Sequence, residues 1–216
     1  MTTKQFLPLP YGKDVYSELK GNGCYFVDKT PYLKELIDKD KSNVMLFTRP
    51  RRFGKTLFMS MVEYFLKINS ANPGDTILQQ KLFKDTKILE DREFCAKYMG
   101  QHPVISLTLK GVQGKTFKAA YYKLAELIVA KANEYSFLKD SQNLNDKEKA
   151  KFDLLCDEMY LKRADEEAQS YVTSAIISLA RMLYKHFKKQ VYVLIDEYDV
   201  PLAKAQEKGY HDEMVT

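Results

Sequence analysis

The stretch that most limits what this chain can fold into is Val44–Phe65, VMLFTRPRRFGKTLFMSMVEYF. Val44–Thr48 opens with four apolar residues and is expected as a short strand buried in a parallel sheet. Beyond Lys55, the residues Phe58, Met61, Val62, Phe65 and Leu66 recur at helical spacing, so an amphipathic helix is expected there. Arg49–Phe53 forms a tight loop between the two, ending in Gly54-Lys55-Thr56. A strand handing over to a helix across such a loop is a unit of open α/β sheets. The helix N-terminus it creates presents unpaired N–H groups and the positive end of a dipole, which suits an anion.

The loop can be read against the phosphate-binding pattern GxxxxGK[ST]. Gly54, Lys55 and Thr56 match its second half, while Arg49 stands at the first glycine. The backbone around Arg51, Arg52, Phe53, Gly54 and Leu57 is a candidate cradle for phosphate oxygens. Lys55 can neutralise the outer phosphates, and the Thr56 hydroxyl can hold Mg²⁺. Pro50 fixes φ and lacks an N–H, so the start of this loop must differ from the common form. The plainer reading is an ordinary strand–helix turn with solvated arginines.

Val191–Asp199, VYVLIDEYD, looks like the partner segment. An apolar run is expected as a buried strand whose carboxyl end delivers Asp196 and Glu197 to the crevice above a sheet. Asp196 is the candidate Mg²⁺ ligand and Glu197 the candidate general base. Asp199 would face the same way as Glu197 if the chain stayed extended. The plainer alternative is a strand end meeting a polar loop.

The remaining patterns fill in a fold. Thr30-Pro31 marks a helix start for Tyr32, Leu33, Leu36 and Ile37. Val104–Leu109 reads as another strand, and Cys24–Val27 as a short one. Helices are expected near Lys115–Tyr135, Lys147–Leu161 and Asp165–Lys188, with a polar surface loop at Lys139–Asp146. Such alternation predicts an α/β fold, a P-loop NTPase-like parallel sheet with helices on both faces. The extra strand between the two motifs makes it the additional-strand type, expected to be incomplete at the C-terminus. Residues 1–43 are expected as an extension whose first helix packs on the core, with residues 44–216 as the core and 111–188 as its helical insertion.

Composition narrows the partners. A formal charge of +5 over 216 residues is compatible with anionic ligands but does not mark a nucleic-acid binder. Cys24, Cys95 and Cys156 lie far apart with no CxxC, and His102, His186 and His211 are isolated, which argues against a disulfide framework or a zinc site. No apolar run approaches the length of a membrane helix. Reduced thiols and the absence of a leader-like N-terminus predict a cytoplasmic protein.

With Tyr25-Phe26-Val27-Asp28-Lys29-Thr30, Arg49–Thr56 and Leu194–Asp199 in view, the chain resembles the bacterial AAA-ATPase-like family, from about Leu7 to Lys204. Arg49 in place of glycine is part of that family's loop. The resemblance implies ATP and Mg²⁺ binding through Lys55, Thr56, Asp196 and Glu197. In that family this region usually precedes a domain similar to PD-(D/E)XK nucleases, which has no counterpart in these residues. Tyr25, Phe26 and Asp28 are candidates to line an adenine pocket, with core packing as the plainer role. The expected function is an ATPase that couples nucleotide state to a partner, an oligomer or a C-terminal domain. The alternatives are a nucleotide-dependent switch without useful turnover, or the ATPase-like module of a nucleic-acid-processing protein.

Overall fold

The computed structural model describes residues 7–37, 44–48 and 53–215. They divide into two compact units, Met1–Val104 and Ile105–Thr216. The chain is mostly helical, with a small two-stranded parallel sheet.

In the first unit, short helices α1 (Tyr16–Gly21) and α2 (Tyr32–Ile37) precede the longer α3 (Lys55–Leu66). Helices α4 (Ile77–Leu82) and α5 (Arg92–Tyr98) follow, separated by a 3-10 turn at Lys87–Glu90. The core forms because each helix buries one face. Tyr16, Leu33, Phe65, Leu66 and Phe83 are wholly buried. Their rings interlock: Tyr16 lies 4.9 Å from Phe83, Phe65 packs edge-on to Phe83, and Phe65 stacks on Phe94 at 5.7 Å. The Tyr16 hydroxyl donates to the Leu82 carbonyl, and burial pushes its pKa well up. The chain leaving α3 is pinned where the N–H of His102 reaches the Leu66 carbonyl and the N–H of Ile68 reaches the His102 carbonyl, a parallel bridge.

Val44–Thr48, expected as a buried strand, carries no strand assignment, and Val44 and Leu46 are 82% and 66% exposed. Strand geometry needs a neighbouring ladder. In this unit the described residues offer only the single bridge at Lys67 and His102. Phe47 still finds an aromatic neighbour, stacking on Phe58 of α3 at 5.3 Å. Cys24–Val27 likewise carries no strand assignment.

The second unit holds the sheet, strands β1 (Val104–Thr108) and β2 (Tyr192–Asp196), with Val104 at the unit boundary. Between them run α6 (Phe117–Asn133), α7 (Asp146–Cys156), α8 (Glu158–Leu161) and α9 (Glu166–Phe187). Helices α10 (Val200–Lys208) and α11 (His211–Val215) follow β2. The long helices close on a core that includes Ile128, Leu138, Phe152, Leu155, Leu179 and Leu183.

Local chemistry sets the helix ends. Thr116, Asn145, Asp157 and Asp165 each cap a helix with a side-chain oxygen, and Asn145 with Glu148 completes a capping box. Asp157 is the reason that the single helix expected over Lys147–Leu161 is two, because its cap starts α8 afresh. The expected polar loop at Lys139–Asp146 is tied down. Ser141 and Leu144 are buried, the His186 ring sits 2.8 Å from the Ser141 hydroxyl, and the Asn143 amide donates to the His186 carbonyl.

β2 also departs from expectation. Val193 and Ile195 are 39% and 45% exposed, although an apolar strand was expected to be buried. β2 has β1 on one edge and, among the described residues, no further strand to extend the sheet. Among those residues no helix is long and apolar enough to cross a membrane.

Candidate functional site

Gly54 begins α3 in the left-handed region, at φ 76° and ψ 29°, where a side chain would be strained. Its carbonyl accepts the Phe58 N–H at 2.9 Å, the first bond of the helix. Glycine has no side chain to cap the helix, and no acidic residue lies in the first turn. The first turn of α3 thus sets no carboxylate of its own against the positive end of the helix dipole. Phe53, Gly54, Lys55, Thr56 and Leu57 come together at this helix start. Of the other loop candidates, Arg49, Arg51 and Arg52 lie outside the described residues, as does Pro50.

Lys29, which the sequence reading passed over, stands beside this turn. A β-carbon at Gly54 would lie 3.8 Å from Lys29 Nζ. The residues flanking Lys29 are bolted to the 3-10 turn at Lys87–Glu90. Asp28 Oδ1 accepts the Thr30 N–H at 2.9 Å and its hydroxyl at 2.7 Å, while Oδ2 accepts the Lys87 N–H at 2.8 Å. The Thr30 hydroxyl in turn accepts the Ile88 N–H. Partial burial pushes the Asp28 carboxyl up, but these donors outweigh it and hold the pKa below the usual carboxylate value. Thr30 was expected as a helix cap; it is wholly buried and bonded within this clamp instead. The Asp-x-Thr spacing, an Asx turn, was the available signal. Of the candidate adenine-pocket residues, Asp28 is thus an anchor, Phe26 packs edge-on to Tyr16 at 5.5 Å, and Tyr25 is 53% exposed.

Two cavities touch this helix start, and Lys29, Gly54 and Phe58 line both. One, of about 400 Å³, adds Tyr32, Glu35, Met45, Phe47 and Phe53. The other, of about 250 Å³, adds Leu19, Phe26, Val27, Leu57 and Met61.

The acids lie in the second unit. β2 ends at Asp196, and the chain turns at once, because Glu197 has φ 53°. Its N–H is held by Asp196 Oδ1 at 3.0 Å. A non-glycine residue in this region costs free energy, and such strain concentrates where a side chain must be aimed. Val200 N–H closes the turn on the Glu197 carbonyl, and Asp199 stands at the start of α10 in helical geometry. The expectation that Asp199 faces with Glu197 along an extended chain therefore fails, since extension ends at Asp196.

Residues 10–216 match the family described as predicted AAA-ATPase. The chain belongs to this AAA-ATPase-like family. Nothing among the curated proteins or the solved structures matches it. Family membership supports nucleotide binding in general terms.

Proposed function

We propose that this chain is an ATP·Mg²⁺-binding domain of P-loop type that hydrolyses ATP and couples its nucleotide state to a partner or C-terminal domain. The observation that carries this reading is the Gly54-Lys55-Thr56 start of α3, headed by a left-handed glycine and with no acidic residue in its first turn, in a member of an AAA-ATPase-like family.

In this reading the N–H groups from Gly54 to Leu57 bind phosphate oxygens, joined by the loop residues Arg51, Arg52 and Phe53. Lys55 neutralises the outer phosphates. Thr56 and Asp196 supply hydroxyl and carboxylate oxygens, a donor set that suits a hard cation such as Mg²⁺. When bound, that ion would offset charge on the phosphates. Glu197 takes a proton from the attacking water, and its left-handed backbone sets the direction of that carboxylate. The fold in this reading is the additional-strand P-loop sheet with helices on both faces.

Calorimetry of ATP·Mg²⁺ with wild type and Lys55→Ala tests the binding step. Heat of binding in wild type and its loss in the variant are expected, and a wild type that binds neither ATP nor ADP would overturn the proposal. Phosphate release by wild type and Glu197→Gln tests the chemistry. Turnover reduced about 100-fold or more in the variant is expected for loss of a general base. Binding with no turnover in either protein would leave a nucleotide switch as the correct reading.

A further inference from the structure

We propose that Lys29 is a second phosphate-contacting residue of this site, its ammonium joining that of Lys55 on the anionic end of a nucleoside triphosphate. This rests on the nucleotide reading above and adds a residue from outside the Gly54-Lys55-Thr56 motif.

Lys29 Nζ lies 3.8 Å from the point a β-carbon on Gly54 would occupy, so the ammonium stands beside the residue that starts α3. Among the described residues it has no hydrogen-bond or ion-pair partner. Glu35 shares the wall of the larger cavity with Lys29 and does not pair with it. Lys29 and Gly54 line both cavities at the helix start, so a ligand filling either one meets this ammonium. In the free protein the placement is unfavourable. A cation near a helix N-terminus meets the positive end of the dipole, and Lys55 adds a second charge in the first turn. A polyanion reverses the sign of both effects. Lysine suits that role as a compact charge with three donors, and its bonds to phosphate oxygens are charge-assisted.

A lysine that only kept the surface solvated would need no fixed backbone, and Lys29 has one. Asp28 and Thr30, on either side, are bonded to each other and to the N–H groups of Lys87 and Ile88. Lys34 adds an ion pair to Asp91 at 2.6 Å. The segment 28–34 is thus tied along its length to 87–91, while the Lys29 side chain reaches Gly54 instead. A backbone fixed in advance lowers the ordering cost of binding.

The test is calorimetry of the full chain with Mg²⁺ and either ATP or inorganic tripolyphosphate, in wild type, Lys29→Met, Lys29→Arg and Lys55→Ala. Lys29→Met removes the charge and should weaken both ligands about tenfold. Lys29→Arg keeps the charge and should stay within about threefold of wild type. Because the ammonium has no protein partner, the ligand-free melting temperature of Lys29→Met should match wild type within about 2 °C. Unchanged affinities in Lys29→Met, with binding lost in Lys55→Ala, overturn the role of Lys29 while the phosphate site stands. Equal losses in Lys29→Met and Lys29→Arg overturn it as well, since charge is then not what the ligand reads. A wild type that binds neither ATP nor tripolyphosphate overturns this role and the nucleotide reading together.

Discussion

Asp28 Oδ2 accepts the backbone N–H of Lys87 at 2.8 Å, joining residues 59 positions apart. With Thr30 bonded to Asp28 and to Ile88, two short segments are locked together by one carboxylate and one hydroxyl. Lys29, between them, is placed beside Gly54 by that lock.

Asp28→Ala should therefore destabilise the first unit by about 2 kcal/mol, since it strands a buried hydroxyl and two N–H groups. The pH dependence follows from the depressed pKa of Asp28. Its contribution is fully present above the unfolded value, near about 4, and is lost as pH falls through the lower folded value. Urea unfolding between pH 6 and 2.5 should show a shallower acid loss in Asp28→Asn than in wild type. Equal slopes would mean that the carboxylate charge does no such work.

Gly54→Ala should lower the melting temperature, because a β-carbon at φ 76° costs about 1–2 kcal/mol, or roughly 2–8 °C in a chain of this size. Gly54→Asn should cost less, as asparagine tolerates the left-handed region. Both should weaken ATP binding through displacement of the first-turn N–H groups. Thermal scans with and without ATP separate the two effects, and full affinity in Gly54→Ala would count against phosphate contact at this turn.

Glu197 and Lys188 share the same strained geometry, each with φ 53°. Lys188 stands at the C-terminal end of α9, a position where glycine is commonly preferred. Lys188→Gly should stabilise the protein by about 1 kcal/mol. Glu197→Gly should do the same while abolishing turnover, whereas Glu197→Gln should abolish turnover and keep the strain. If Glu197→Gly and Glu197→Gln melt at the same temperature, backbone strain at this acid is refuted.

The exposure of β2 has a direct energetic consequence. Phe65 is wholly buried, and Phe65→Ala should cost about 3–5 kcal/mol. Ile195→Ala should cost less than about 2 kcal/mol, because 45% of that side chain is already in water. Denaturant midpoints of the two variants give the comparison. A large loss at Ile195 would mean that its exposed face is covered in solution.

The long elements were legible in the residues, since helix formation is local. Phe58, Met61, Val62 and Phe65 repeat at the helical period, and that period is α3. Thr116, Asn145 and Asp165 cap as their residue types predict, because a cap needs only the next three N–H groups. The candidate residues Gly54, Lys55, Thr56, Asp196 and Glu197 were found the same way, as short patterns on a helix start and a strand end. Apolar content was a poorer guide to strands. Val44–Thr48 and β2 are both apolar, yet one carries no strand assignment and the other is partly exposed, since a strand's bonds and burial come from neighbours distant in sequence.

From its own residues, then, this chain specified its long helices and the two short motifs, which depend on groups a few positions apart, whereas Thr30, expected as a cap, is bonded to Asp28 and Ile88. Tertiary structure decided that Asp28 anchors the Lys87–Glu90 turn, that Lys29 stands by Gly54, and that Glu197 takes a left-handed conformation as soon as β2 ends. Each of those depends on where a hydrogen-bond partner or a ring arrives from elsewhere in the chain. Pairings across tens of residues are chosen by packing of the whole unit, which no local pattern contains.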